Sequence, residues 1–197
     1  QLFGWGEKTG IDLPDEGNSI LPVINNDWRL GNTYHFSIGQ GAFSILPVQV
    51  ATAYSAIANG GELIKPQIVQ RIIDPENGDI IKEFSKQAIR KNFISEENVQ
   101  VVKEGMRQTV TGEGSPLASA VFLSNLPVTA AAKTGTAQVD IQREIYNNWV
   151  SVFAPFENPE IVLIVLFEGV EGERAVVVPA AQEILNWYFT KQAKNIQ

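Results

Sequence analysis

Hydrophobic and polar positions follow three different patterns along the chain. Residues 1–36 are rich in Gly, Pro, Asp and Asn and carry no sustained apolar period. This predicts ordered loop with short turns, as at Leu13-Pro14-Asp15-Glu16-Gly17, and the loop-rich region extends to residue 46. A helix is expected from Pro47, because a proline in the first turn gives up an N–H that has no partner there. Val50, Ala51, Tyr54, Ile57 and Ala58 fall on one of its faces, and Gly60-Gly61 ends it. Apolar pieces at 68–73 and 80–84 flank the turn Asp74-Pro75-Glu76-Asn77-Gly78, the pattern of a hairpin.

Ser95 is a good N-cap for the next helix, with Glu96 and Glu97 placed favourably in its first turn. That helix is expected to reach about residue 110 with Val99, Val102 and Met106 on one face, and 111–116 is loop. Three strands are predicted next, at 128–139, 149–154 and 161–168, joined by short polar connections that suit antiparallel pairing. Residues 161–167 are apolar throughout, which predicts a central place in the sheet. A helix after Pro179 closes the chain, with Ala181, Ile184, Leu185 and Tyr188 on one side. The fold class is α+β, an antiparallel sheet flanked by helices: 1–46 loop-rich, 47–127 helical with a small hairpin, 128–197 three strands and a helix. No internal repeat occurs.

Composition narrows the chemistry. The 197 residues carry 15 Lys+Arg against 22 Asp+Glu, a formal charge of −7. A phosphate backbone needs a clustered positive field, so the acidic balance and scattered basic residues argue against nucleic acid. Hydrophobic residues make up 44% of the chain, enough for a sizeable core. The longest apolar run has seven residues, against the roughly 20 that cross a bilayer. Cysteine is absent and there is one histidine, which removes thiolate chemistry and leaves only carboxylates for a metal. The opening Gln1-Leu2-Phe3-Gly4-Trp5-Gly6 has no initiator Met or leader pattern and reads as the middle of a longer chain.

The sharpest chemical feature is Lys133-Thr134-Gly135-Thr136-Ala137, on the first of the three strands. Lysine supplies a fixed positive charge and two threonine hydroxyls can donate to a carboxylate. Glycine removes a side chain, so another backbone can approach the strand edge. A backbone N–H just past the glycine can point at a developing oxyanion. An ordinary edge strand with small residues is the bland reading of the tripeptide alone. Lys8-Thr9-Gly10 repeats it in a loop, with no strand around it, and has no expected catalytic role.

Context decides between those readings. Lys-Thr-Gly groups with S-x-x-K and S-D-N in penicillin-binding proteins and β-lactamases. From Phe3 onward the chain resembles the transpeptidase domain of class B penicillin-binding proteins. The matching stretches are Phe3-Gly4-Trp5-Gly6-Glu7-Lys8-Thr9-Gly10-Ile11-Asp12-Leu13-Pro14, Ser37-Ile38-Gly39-Gln40-Gly41 and Leu46-Pro47-Val48-Gln49-Val50-Ala51 through Ala58-Asn59-Gly60-Gly61. Glu104-Gly105-Met106, the Lys133 motif and Asn148-Trp149-Val150-Ser151-Val152-Phe153-Ala154-Pro155 follow in order. The 37–41 and 47–49 pieces look most like the elongation-type subgroup, penicillin-binding protein 2. Gly112-Glu113-Gly114-Ser115 departs from the family, which more often has a Gly-Thr-Ala-like turn there.

The resemblance implies an acyl-enzyme mechanism with a serine nucleophile in S-x-x-K and a second serine in S-x-N. No lysine of this chain has a serine three positions before it, and no asparagine has one two positions before it. The chain is therefore expected to be the C-terminal part of a D,D-transpeptidase domain, inactive by itself, that supplies the third motif. By resemblance Lys133 sets the electrostatics of the site and contacts the substrate carboxylate. The hydroxyls of Thr134 and Thr136 bind that carboxylate, Gly135 admits the stem peptide, and the Thr136 N–H forms half of an oxyanion hole. Peptidoglycan stem peptides and β-lactams are the implied ligands, and no cofactor or metal is implied. The implied location is the extracytoplasmic face of the bacterial membrane, through an N-terminal anchor outside this sequence.

In relatives two further strands precede the serine helix, one of them beside the last strand. Without them 161–168 would present a bare apolar edge, so the chain is expected to need an upstream half, covalent or clipped, or to self-associate. A non-catalytic β-lactam or peptidoglycan sensor is the alternative. A serine β-lactamase is disfavoured by the Gly39-Gln40-Gly41 and Asn59-Gly60-Gly61 contexts. His35, among Tyr34, Phe36 and Ser37, reads as a packed or hydrogen-bonding residue. Trp5, Trp28, Trp149 and Trp187 are too dispersed for a sugar platform and read as core. Asp12, Asp15 and Glu16 read as a solvated acidic loop, and Glu168, Glu171 and Glu173 as a loop end facing water.

Overall fold

Three long strands in the last third of the chain are the frame on which the helices pack. The structure is a computed structural model that describes residues 2–114, 116–172 and 176–194. Strands β5 (Ala131–Asp140), β6 (Ile145–Ala154) and β7 (Ile161–Glu171) form an antiparallel sheet in the order β5-β6-β7; the elements before them are α1 (Leu30–Ser37), α2 (Pro47–Ala58), β1 (Leu63–Ile64), β2 (Arg71–Ile73), β3 (Ile80–Glu83), β4 (Ala88–Arg90), α3 (Glu96–Thr111) and a 3-10 turn at Val121–Asn125, and α4 (Val177–Lys194) follows. The pairs β2–β3 and β1–β4 are separate small antiparallel ribbons.

Strand alternation sorts the core to two faces. Ala130, Ala132, Val150, Val152, Ala154 and Val165 pack with Leu123 of the 3-10 turn and with Val178, Ala181 and Leu185 of α4. Ala131 and Phe153 pack oppositely, with Ala58 of α2 and Met106 of α3. Phe153 and Leu185 are wholly buried, where truncation to alanine costs on the order of 2–5 kcal/mol each. The α+β class, the 80s hairpin and the Ser95 cap all hold, with Ser95 Oγ accepting from the Asn98 N–H at 3.3 Å. Helix α3 ends at Gly112, whose φ of +75° lies in the left-handed region that glycine adopts without penalty.

Several expectations are corrected. The apolar run 161–167 lies in β7 at an edge of the sheet, and the central strand is β6. Its apolar composition reports coverage of both faces, by α2 and α4, rather than its place in the strand order. Strand β6 begins at Ile145, not 149, because Tyr146, Asn147 and Asn148 pair although they are polar or aromatic. The loop-rich region 1–46 holds helix α1, which buries no residue and has no apolar face to announce it. On α2 the expected face holds in part: Ala58 is buried and Tyr54 and Ile57 pack against the Ala131–Phe153 cluster, while Gln49, Ala53 and Ala56, outside that face, are buried as well. Val102 of α3 and Ile184 of α4, expected inside, are 41% and 43% exposed.

Among the described residues the outer edges of β5 and β7 carry no strand partner. An unpaired apolar edge is a template for other chains. Residues 1–197 expressed alone are accordingly expected to sediment as dimers or larger species at micromolar concentration. A clean monomer across a concentration series would contradict that.

Candidate functional site

Lys133, Thr134, Gly135 and Thr136 stand on β5, opposite Ser151, Val150, Trp149 and Asn148 of β6. They lie where the buried half of the strand, Ala131-Ala132, gives way to its exposed half. The small side chains of 131 and 132 let α3 close over the strand there. The next residues emerge at the helix margin.

The Lys133 side chain is exposed, and its Nζ donates to the Thr134 carbonyl. No carboxylate lies within ion-pair distance of it among the described residues. Its positive charge is therefore not neutralised locally. The Thr134 hydroxyl is 2.6 Å from the Ser119 hydroxyl, and the Thr136 hydroxyl donates to Asn148 Oδ1 at 3.4 Å. A Cβ added at Gly135 would meet only Trp149 Cβ at 3.6 Å, an ordinary contact, and the residue does not have positive φ. The fold does not require glycine at this position.

Two depressions flank Lys133. One, of about 640 Å³, runs between α2 and the sheet, floored by Gly135, Trp149 and Ser151 and walled by Gly39–Gly41 and Tyr54. The other, of about 180 Å³, is bounded by Gln108, Thr109 and Ser119. Tyr54 is mostly buried, and that burial pushes its phenol up, partly offset by its hydrogen bond with Ser151. Gly39–Gly41 with Leu46, Pro47 and Val50, far from 133–135 in sequence, thus line the same groove. Sequence reasoning missed Ser119, Asn148 and Ser151. Asn148 and Ser151 are buried polar residues in an apolar strand, and such residues are retained only with a task for their polar atoms.

The second Lys-Thr-Gly is committed elsewhere. Glu16 Oε1 accepts from the Thr9 N–H and from the Thr9 hydroxyl at 2.7 Å each, and Oε2 accepts from the Gly10 N–H at 3.0 Å. Partial burial raises the Glu16 pKa, but the three bonds from Thr9 and Gly10, with Lys8 nearby, outweigh it and hold the carboxyl below its ordinary value. Ionised Glu16 therefore stabilises the fold fully above the ordinary glutamate range, about 4.3, and that contribution fades as pH falls through the lowered folded value. Glu16→Gln is expected to flatten the acid limb of a urea-midpoint-against-pH curve and to cost about 1–2 kcal/mol at neutral pH. An unchanged acid limb would contradict this.

Asp12 likewise accepts from the backbone N–H groups of Ile68 and Val69, at 2.7 and 2.9 Å. The expected solvated acidic loop is thus corrected for Asp12 and Glu16, which pin backbone. The Gln49 amide, 1% exposed, completes this fastening: it donates to the Glu7 carbonyl at 2.6 Å and to Ser19 Oγ at 2.9 Å, and accepts from the Leu46 N–H at 3.0 Å. His35 is exposed rather than packed. None of the four tryptophans is buried core: Trp187 is 59% exposed, and Trp149 lines the groove. Glu168 and Glu171 are exposed on β7, and Glu173 lies outside the described residues.

The profile of the penicillin binding protein transpeptidase domain matches residues 1–186. The chain belongs to this family. Penicillin-binding protein 2B from Streptococcus pneumoniae superposes with a TM-score of 0.84 at 28% identity, over 96% of this chain and 31% of that one. Stage V sporulation protein D from Bacillus subtilis is 35% identical over 176 residues, 86% of this chain and 26% of that protein. Peptidoglycan D,D-transpeptidase MrdA from Salmonella typhimurium is 27% identical over 99% of this chain and 34% of its own length. The chain thus spans about a third of the curated relatives it matches. These relatives place it with the class B penicillin-binding proteins and bear out the α+β transpeptidase fold expected from the sequence.

Proposed function

We propose that this chain is the substrate-carboxylate and oxyanion side of a peptidoglycan D,D-transpeptidase, whose serine nucleophile comes from the remainder of the same protein. One observation carries the reading: an exposed, locally unneutralised lysine and two threonine hydroxyls flank a glycine the fold does not need, on a strand edge with no strand partner among the described residues. An anionic peptide laid along β5 meets Lys133 as a fixed charge and Thr134 and Thr136 as donors, and Gly135 lets its backbone come close. The Thr136 N–H then faces the acyl oxygen. The serine of an S-x-x-K segment would attack that acyl carbon and break the peptide bond to the carboxylate-bearing terminal residue, which leaves as a free amino acid. The acyl-enzyme would then pass its acyl group to an amine of a second stem peptide and free the serine. β-Lactams would arrest the same serine.

The protein would work on the outer side of the bacterial cytoplasmic membrane, anchored by a segment outside this sequence; no helix among the described residues is long and apolar enough to span a bilayer. The likeness of the Ser37–Gly41 and Pro47–Gln49 stretches to the elongation-type subgroup supports a role in elongation. The complete protein, incubated with a fluorescent penicillin and then with a stem-peptide thioester and an acceptor amine, separates the outcomes. Labelling with cross-linked product supports the enzyme. Labelling without product supports the sensor reading, and absence of labelling overturns both.

A further inference from the structure

Asn148 is 3% exposed, and among the described residues its Nδ2 has no hydrogen-bond partner. Leaving a buried amide N–H2 unpaired costs on the order of 1–3 kcal/mol, so the group calls for an explanation, and a second state of the site that uses it is one. Among the described residues its side chain has one polar contact: Oδ1 accepts the hydroxyl proton of Thr136 at 3.4 Å. The neighbouring Asn147 is occupied differently, its Oδ1 accepting from the N–H of Gly169 at 3.0 Å. That bond sits at an irregularity in the β6–β7 register, where Asn148 pairs with Phe167 but Tyr146 pairs with Val170. Gly169, at φ +68°, absorbs the extra residue. Asn147 and the bulge thus fix the strand next to Asn148, whose own amide is held by the bond to Thr136.

A threonine hydroxyl has a single proton. In the arrangement observed, Thr136 gives that proton to Asn148 and so presents only lone pairs to anything on its other side. A carboxylate needs the reverse. Rotating the Asn148 amide by half a turn brings Nδ2 to the place of Oδ1. The amide then donates to Thr136 Oγ1, which releases the hydroxyl proton to the anion. One bond between the two side chains is kept in either orientation, so the exchange costs little within the pair.

We infer that Asn148 is a positioning residue that sets the donor polarity of the Thr136 hydroxyl, turning it from donor-to-protein into donor-to-carboxylate when an anionic ligand arrives. The inference rests on the proposed carboxylate role of Thr136. Asn148 itself does not touch the ligand.

The test is a double-mutant cycle in the complete protein, read as the second-order rate constant for acylation by benzylpenicillin. Thr136→Val is expected to lose about tenfold or more, the loss of one hydrogen bond to a charged group. Asn148→Leu, which keeps the volume and removes both polar atoms, should lose several-fold by itself and nothing further beside Thr136→Val. Asn148→Asp holds an acceptor against Thr136 in either rotamer. It should slow acylation more than leucine does, and recover at acid pH as the introduced carboxylate is protonated and becomes able to donate. If Thr136→Val acylates normally, the carboxylate role of Thr136 fails and this inference with it. If Thr136→Val is slow but the two single losses multiply, or Asn148→Asp shows the wild-type pH profile, Thr136 keeps its role and the polarity switch is overturned. Should Asn148→Asp not fold, the leucine cycle decides alone.

Discussion

Replacing Lys133 with alanine in the complete protein is expected to slow acylation by a β-lactam by about 100- to 1000-fold, the usual cost of removing one preorganised group that stabilises developing charge. The expectation rests on two features of the side chain. It is exposed and meets no carboxylate among the described residues, so its charge is not spent inside the fold. Its one observed bond runs to the neighbouring Thr134 carbonyl, a local contact that an arriving ligand can displace. Because the side chain packs against nothing essential, the thermal midpoint should move by no more than a degree or two. Stopped-flow acylation beside a melting curve measures both. A Lys133→Ala protein acylated at the normal rate removes the lysine from the site. A large fall in stability would instead mean that its task is structural.

Gly135→Ala separates fold from function in the opposite direction. The added methyl would sit 3.6 Å from Trp149 Cβ, an ordinary contact. Glycine inside a strand also carries an entropic cost of about 0.5–1 kcal/mol relative to alanine. The variant is therefore expected to be as stable as the wild type or slightly more so. Acylation should nevertheless fall by about tenfold to a hundredfold, because the methyl stands where an incoming backbone must approach and weakens more than one of its hydrogen bonds. Loss of stability with unchanged acylation would reverse this assignment and return Gly135 to the fold.

The sequence was a good guide wherever a single local signal governs structure. Pro47 and Ser95 mark helix starts by the chemistry of terminal N–H groups, and each lies where that chemistry puts it. The strand bearing Lys133 was also legible, although its motif gained chemical meaning only from the matching stretches around it. What stayed hidden depends on partners distant in the chain. Helix α1 buries nothing, so no periodicity gave it away. Residues 161–167 are apolar because helices lie on both faces of β7, a condition that central and edge strands can share.

The site was half legible for the same reason. Lys133 to Thr136 form one contiguous motif. Asn148 and Ser151 acquire meaning only when the register of β5 against β6 sets them opposite it, and Ser119 only when the segment after α3 brings its hydroxyl to Thr134. The duplicate at Lys8 to Gly10 is the converse case, identical in letters and different in setting. There the threonine is 8% exposed and its hydroxyl and N–H are both taken by Glu16, so no donor is left for a ligand.

The central claim is that an anionic ligand lies along β5 with its carboxylate on the two threonines. The most direct test is a crystal structure of the complete protein acylated by a β-lactam. The ligand carboxylate is expected within hydrogen-bond distance of Thr134 Oγ1 and Thr136 Oγ1, with the acyl oxygen at the Thr136 N–H. A ligand whose carboxylate is held elsewhere, with both threonine hydroxyls still turned to Ser119 and Asn148, would contradict it.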